Sequence, residues 1–162
     1  MQQSTNGDAA AAAAAAGPQI QVNHQYVKDL SFEIPGAPEI FLTMRSQPTV
    51  DLNLDVNARR IDGPLCEVEI AIRAEAKIED KTAFLVELVY AGLFTLNQVP
   101  DQMFEPVLLV ECPRLLFPFA RNVVAEVTRD GGFPPVVLQP IDFLALWQAR
   151  RAAEAQPTVG TA

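Results

Sequence analysis

Between Gln19 and Ile34 the chain alternates, with Ile20, Val22, Tyr26, Leu30, Phe32 and Ile34 in one phase and Gln21, Asn23, Gln25, Asp29, Ser31 and Glu33 in the other. A period of two marks a strand with one dry and one wet face. The run PTVDLNLDVN repeats it, placing Val50, Leu52, Leu54 and Val56 inward and Asp51, Asn53, Asp55 and Asn57 outward. LCEVEIAIRAEAKIED does so again, setting Val68, Ile70, Ile72 and Ile78 against Glu67, Glu69, Arg73, Glu75 and Lys77. A fourth run, KTAFLVELVYAGLF, is greasier: Phe84, Val86, Leu88 and Tyr90 on one side oppose Leu85, Val89 and Leu93, with Glu87 the charge among them. ARRIDGPL and IEDK are short enough for hairpins, whereas PGAPEIFLTMRSQP is long and bounded by prolines, so strands one and two are expected to be joined by a crossover.

The pattern then changes to a helical period. DQMFEPVLLVEC predicts a short piece, opened or interrupted by Pro106 and ended by Pro113. RLLFPFARNVVAEV, Arg114 to Val127, predicts the main helix, with Pro118 in its first turns and the glycines of RDGGFPP after its last. DFLALWQARRAAEA predicts the final helix, with Asp142 as N-cap and Leu144 and Trp147 on its working side. Strands first and helices after them give an α+β class, a four-stranded antiparallel sheet with helices packed on one face. The main helix is the anomaly. Leu115, Phe117, Phe119, Ala120, Val123, Val124 and Val127 sweep an arc of about 200°, roughly twice what one core face needs. Such a helix is either buried within one subunit or shared between its own sheet and a second subunit; since four strands offer a single apolar face, the second arrangement is expected.

With 12 basic and 20 acidic residues the net charge is −8, which opposes nucleic-acid phosphates and anionic membrane surfaces alike. Two cysteines, Cys66 and Cys112, have neither a CxxC nor a zinc-ligand spacing, so neither a disulfide framework nor a metal site is expected. Residues 1–18 form a low-complexity, alanine-rich tail without the basic start of a secretory signal. Residues 19–153 form one domain and residues 154–162 a second loose tail. No run approaches the length of a membrane span, and a cytoplasmic protein is expected.

Catalytic constellations are missing. His24 is the one histidine and sits at an inward phase, which suits a packed residue better than a general base. GxGxxG, GxxxxGK and HExxH are absent, no cofactor is expected, and the outward carboxylates lie on an open strand face with nothing in the sequence to desolvate them for acid–base work. What remains is apolar surplus: Ile40, Phe41, Leu42, Met44, Met103, Phe104, Leu144 and Trp147 form either a satellite core or a groove of methionine and aromatic side chains that takes unrelated apolar segments.

Three stretches match a known family: YVKDLSFEIPGAP at Tyr26 to Pro38, TAFLVELVYAGLF at Thr82 to Phe94, and CPRLLFPFARNVVAEVTRDGGFPPVVLQPIDFLALW at Cys112 to Trp147. The chain resembles SecB, the bacterial protein-export chaperones, from Gln19 to Arg150. The resemblance implies a homotetramer, a dimer of dimers with main helices between two sheets. It implies an ATP-independent holdase that binds unfolded precursor proteins, keeps them translocation-competent and passes them to SecA, whose C-terminal tail carries its own zinc. SecA-docking positions of the family fall at Asp29, Glu33, Leu85 and Glu87, and positions that influence the dimer to tetramer balance fall at Val86, Leu88 and Tyr90, beside the main-helix residues Phe119, Val123 and Val127. Family members often carry a tryptophan before the Gln-Pro of the crossover; here the sequence is MRSQP, with Met44 the available substitute. The alternative from the residues alone is a non-catalytic oligomeric adaptor that binds one defined partner through its acidic sheet face.

Overall fold

The structure, a computed structural model, describes residues 17–156; the alanine tract and the end of the C-terminal tail lie outside the described residues. Four long strands form one antiparallel sheet: β1 (Gln19–Glu33), β2 (Thr49–Asp62), β3 (Leu65–Ile78) and β4 (Lys81–Asn97), in the order β1-β4-β3-β2. The expected crossover is present, because β1 and β2 occupy opposite edges and the link between them, containing the short helix α1 (Glu39–Thr43), passes from one edge to the other. β2 runs on through Ala58 to Asp62, so its hairpin closes tightly at Gly63, whose φ of +51° suits glycine.

Two bulges break the alternation of β1, one between Val22 and His24 and one between Val27 and Asp29. Each inserts one residue and flips the phase. Between them Gln25 and Val27 turn to the helix side, opposite Gly92 and Tyr90, while His24 and Tyr26 turn outward. Tyr26 and His24, expected inward, therefore lie on the wet face, their rings 5.9 Å apart, and Gln25 accepts a 3.2 Å hydrogen bond from the Tyr90 hydroxyl. The second bulge restores the original phase, so Leu30 and Phe32 face the helices and Asp29 and Glu33 face out, paired with Val89 and Leu85.

The helical part also departs from expectation. α2 (Asp101–Pro106), a π turn (Val107–Glu111) and α3 (Cys112–Asp130) follow one another without a break, so Pro113 does not end a helix. The Cys112 amide bonds to the Val107 carbonyl five residues back, and this widened turn opens the ladder just where the Pro113 ring would otherwise press on the preceding turn. Pro118 lies inside α3. The last helix, α4 (Phe143–Ala155), is capped by Asp142, whose carboxylate accepts the Ala145 amide at 3.0 Å. Phe143, 1% exposed, anchors it edge-on against Phe117.

The core fills the space between the helix side of the sheet and α3: Val68, Ile70, Ile72, Phe84, Val86, Leu88 and Phe94 from the strands meet Leu116, Ala120 and Val124. Thr128, buried at the end of α3, donates to the Val124 carbonyl at 2.9 Å and accepts the Val136 amide at 3.0 Å, tying the extended segment 133–141 to the helix.

Candidate functional site

Two surfaces are left open by this packing. The first is the helix-side surface of edge strand β2. α3 lies over β4, β3 and β1 and leaves β2 to the π turn, so Leu52 is 39% exposed and Val50 and Leu54 are half-buried. This apolar strip joins two hollows. One, about 270 Å³, is lined by Pro48, Val50, Phe84, Phe133, Pro135 and Val137. The other, about 360 Å³, is lined by Val56, Leu109, Leu146, Trp147 and Arg150.

The eight residues expected to line one groove do not form one: Trp147 lines the larger hollow and the others lie around or outside the two. Phe41 packs on Phe133 with ring centres 5.3 Å apart. Met44 lines an adjoining hollow with Ile40 and Ile78, although Ile40 itself is buried in the core. Leu42, 83% exposed, projects into solvent. At the far end Trp147 lines the larger hollow and its indole N–H donates to Glu105 at 3.2 Å. Phe104 lies under the Arg60 guanidinium at 4.4 Å, and Met103 and Leu144 are exposed outside both hollows. The sequence reading missed Val50, Leu52 and Leu54 as surface, because alternation tells which face a residue takes but not whether a helix reaches that strand.

The second open surface is the wet face of the sheet. Asp29, Glu33, Leu85 and Glu87 share it, as the register requires: Glu33 pairs with Leu85, and Glu87 lies opposite Arg73. Leu85 is half-buried. Asp29 and Glu87 border a hollow of about 350 Å³ floored by Ala71 and Val89 and closed on its other sides by Asp55 and Arg73. At the opposite end of the same face the charges are locked. Glu67, 4% exposed, receives Tyr26, Lys28 at 3.0 Å and Arg59 at 2.8 Å, and Lys28 also meets Glu69. Burial alone would raise the Glu67 carboxyl, but the hydrogen bonds from Tyr26, Arg59 and Lys28 outweigh it and bring its pKa down to about 2.

A carboxyl held below its ordinary value of 4.5 stabilises the fold above that value, and the contribution fades as pH falls toward about 2. Glu67→Gln should therefore lower the melting temperature by about 3–6 °C at neutral pH. The gap to the unsubstituted protein should narrow as pH approaches 3. A gap that stays constant across that range would mean the charge of Glu67 contributes nothing.

Val86, Leu88 and Tyr90 lie in the core of a single subunit, under α3. Leu115 at 44% and Phe119 at 52% exposure instead lie on the side of α3 turned away from the sheet, continued toward the core by half-buried Val123 and Val127, which pack against its edge. Cys66 and Cys112 are both fully buried, and burial pushes the Cys112 thiol up to about 12. Among the described residues no group of His, Cys, Asp and Glu is placed to hold a metal ion, and no helix is long and apolar enough to cross a membrane.

Residues 13–154 match the sequence profile of a family described as Preprotein translocase subunit SecB. A Protein-export protein SecB of Granulibacter bethesdensis is 64% identical, with 91% of each chain covered. Another, of Acidiphilium cryptum, is 53% identical, covering 88% of this chain and 95% of its own. Among solved structures, a SecB-like chaperone of Mycobacterium tuberculosis, solved in complex with a ChAD peptide from an antitoxin, aligns with a TM-score of 0.62 at 17% identity, covering 82% of this chain and 95% of that one. At that identity the likeness is one of fold.

Proposed function

From a chain that belongs to the SecB family and is thereby a protein-export chaperone, we propose an ATP-independent holdase that captures unfolded precursor proteins and hands them to SecA. The observation that carries the capture step is the uncovered strip of β2. Leu52, Leu54 and the two hollows at its ends offer an open, apolar, sequence-tolerant track beside the proline-rich segment 133–137. Each client side chain buried there gains about 1.5–3 kcal/mol before ordering costs. A few dispersed contacts therefore hold an extended chain, whereas a folded protein, with its apolar segments already hidden, gains nothing. The groove set of this reading is Phe41, Met44, Phe104 and Trp147 at the ends, with Ile40, Leu42, Met103 and Leu144 around them.

Delivery is assigned to the wet face. Asp29, Glu33 and Glu87 surround half-buried Leu85, a pattern that suits a partner with basic and apolar groups, such as the zinc-bearing C-terminal tail of SecA. Assembly is assigned to α3: the stripe of Leu115, Phe119, Val123 and Val127 packs against its counterpart in a second pair of subunits, giving a dimer of dimers. Val86, Leu88 and Tyr90 act on that balance through the helix they support. The site of action is the cytoplasm, before translocation.

Light scattering of the purified protein, alone and with a chemically denatured protein, tests subunit number and capture together. Leu52→Glu places a charge on the track without touching α3 or the wet face and should weaken capture about tenfold. Equal protection of native and unfolded proteins, or undiminished capture by Leu52→Glu, would overturn the assignment.

A further inference from the structure

The docking face contains a cation of its own. Arg73 stands on β3 directly opposite Glu87 of β4, its Nε 3.3 Å from a Glu87 carboxylate oxygen, while its Nη1 donates to Glu75 at 3.3 Å. Asp29 and Glu33, the other docking carboxylates, have no ion-pair partner among the described residues. Asp55, across the hollow, is taken up by Arg150 of α4 at 3.5 Å. Arg73 therefore forms one wall of the hollow that Asp29 and Glu87 border, and it competes for Glu87 with any basic side chain entering there.

Both members of the pair are about half exposed, at 46% and 52%, so their contact is weak and exchangeable in water. Glu75 supplies a second seat on the same strand face, 3.3 Å from the guanidinium. We propose that Arg73 is the resident counter-ion of Glu87 and that a basic partner segment docks by displacing it toward Glu75. This inference rests on the docking reading above and adds to it the residue that sets affinity. Docking by exchange favours a partner cation able to engage Glu87 and Asp29 together, and it keeps the complex weak enough to release once cargo has been passed on.

The test measures binding of the zinc-loaded C-terminal segment of SecA to the full-length protein at physiological salt. Arg73→Gln should tighten binding about two- to fivefold. Arg73→Lys, which keeps the charge on a more flexible arm, should stay close to the unsubstituted protein. Lys77→Gln removes the same unit of charge from the same face, yet Lys77 reaches only Glu75, at 3.9 Å, so it should have the smaller effect. Unchanged or weaker binding by Arg73→Gln, with its melting temperature preserved, overturns the proposal. So does an equal gain from Lys77→Gln, which would reduce the effect to net charge. Failure of every form, the unsubstituted protein included, to bind the segment would sink the docking reading itself, and is distinguishable from binding that ignores residue 73.

Discussion

Phe119→Asp is expected to leave the proposed dimer of dimers as separate dimers while each subunit stays folded. Two faces of α3 have separate tasks. Leu116, Phe117, Ala120 and Val124 are buried against the sheet and α4, whereas Leu115 and Phe119 remain 44% and 52% exposed in the single chain. Asn122 and Glu126, joined at 3.0 Å, give this outer stripe a polar border, as interface cores commonly have. In a closed symmetric assembly each substitution is repeated in every subunit, so its cost is multiplied. Losing a buried phenylalanine forfeits about 2–3 kcal/mol per site, and burying an unpaired carboxylate in its place costs more. Mass measurement at micromolar concentration should show dimers in place of tetramers, with the circular dichroism of the subunit retained. An intact tetramer would mean that this stripe is not the seam. Retained capture by the dimers would show in addition that the β2 track belongs to each subunit and not to the junction.

The strands and their wet and dry faces were legible because alternation reports side-chain direction, and the crossover because a fourteen-residue proline-bounded link cannot make a tight hairpin. The errors have local causes. From His24 to Lys28 the faces are reversed by two bulges that leave no mark in composition; since each adds one residue, the phase of Asp29 and Glu33 comes out as the simple alternation had it. Pro113 resembled a terminator because the sequence does not announce a π turn, a solution supplied by the packing of Val107, Leu108 and Val110 into the core. The expected groove was scattered because local pattern cannot tell which strand is an edge. Once β2 is known to lie outside the reach of α3, Leu52 changes from core residue to surface, and the prolines after Phe133 become the opposite wall.

Gly92→Val should cost about 3 kcal/mol and lower the melting temperature by about 6–12 °C. Gly92 sits on the helix side of β4, where Val68 and Gln25 flank it across the sheet. A Cβ there would lie 2.7 Å from the Phe94 ring and 2.8 Å from a Leu116 methyl. Both neighbours are fully buried, at 0% exposure, so neither can swing into open space. Its backbone angle is one that other residues adopt, and valine is otherwise favoured in strands; the loss must therefore come from overpacking and not from strain at φ. Room made in the helix separates these causes. Leu116→Ala alone leaves a cavity and destabilises, but combined with Gly92→Val it should recover a substantial part of the loss, a coupling of at least about 1 kcal/mol in a double-mutant cycle. Additive losses would show that Leu116 does not rest on the glycine, and the close seating of α3 on the sheet would need another cause.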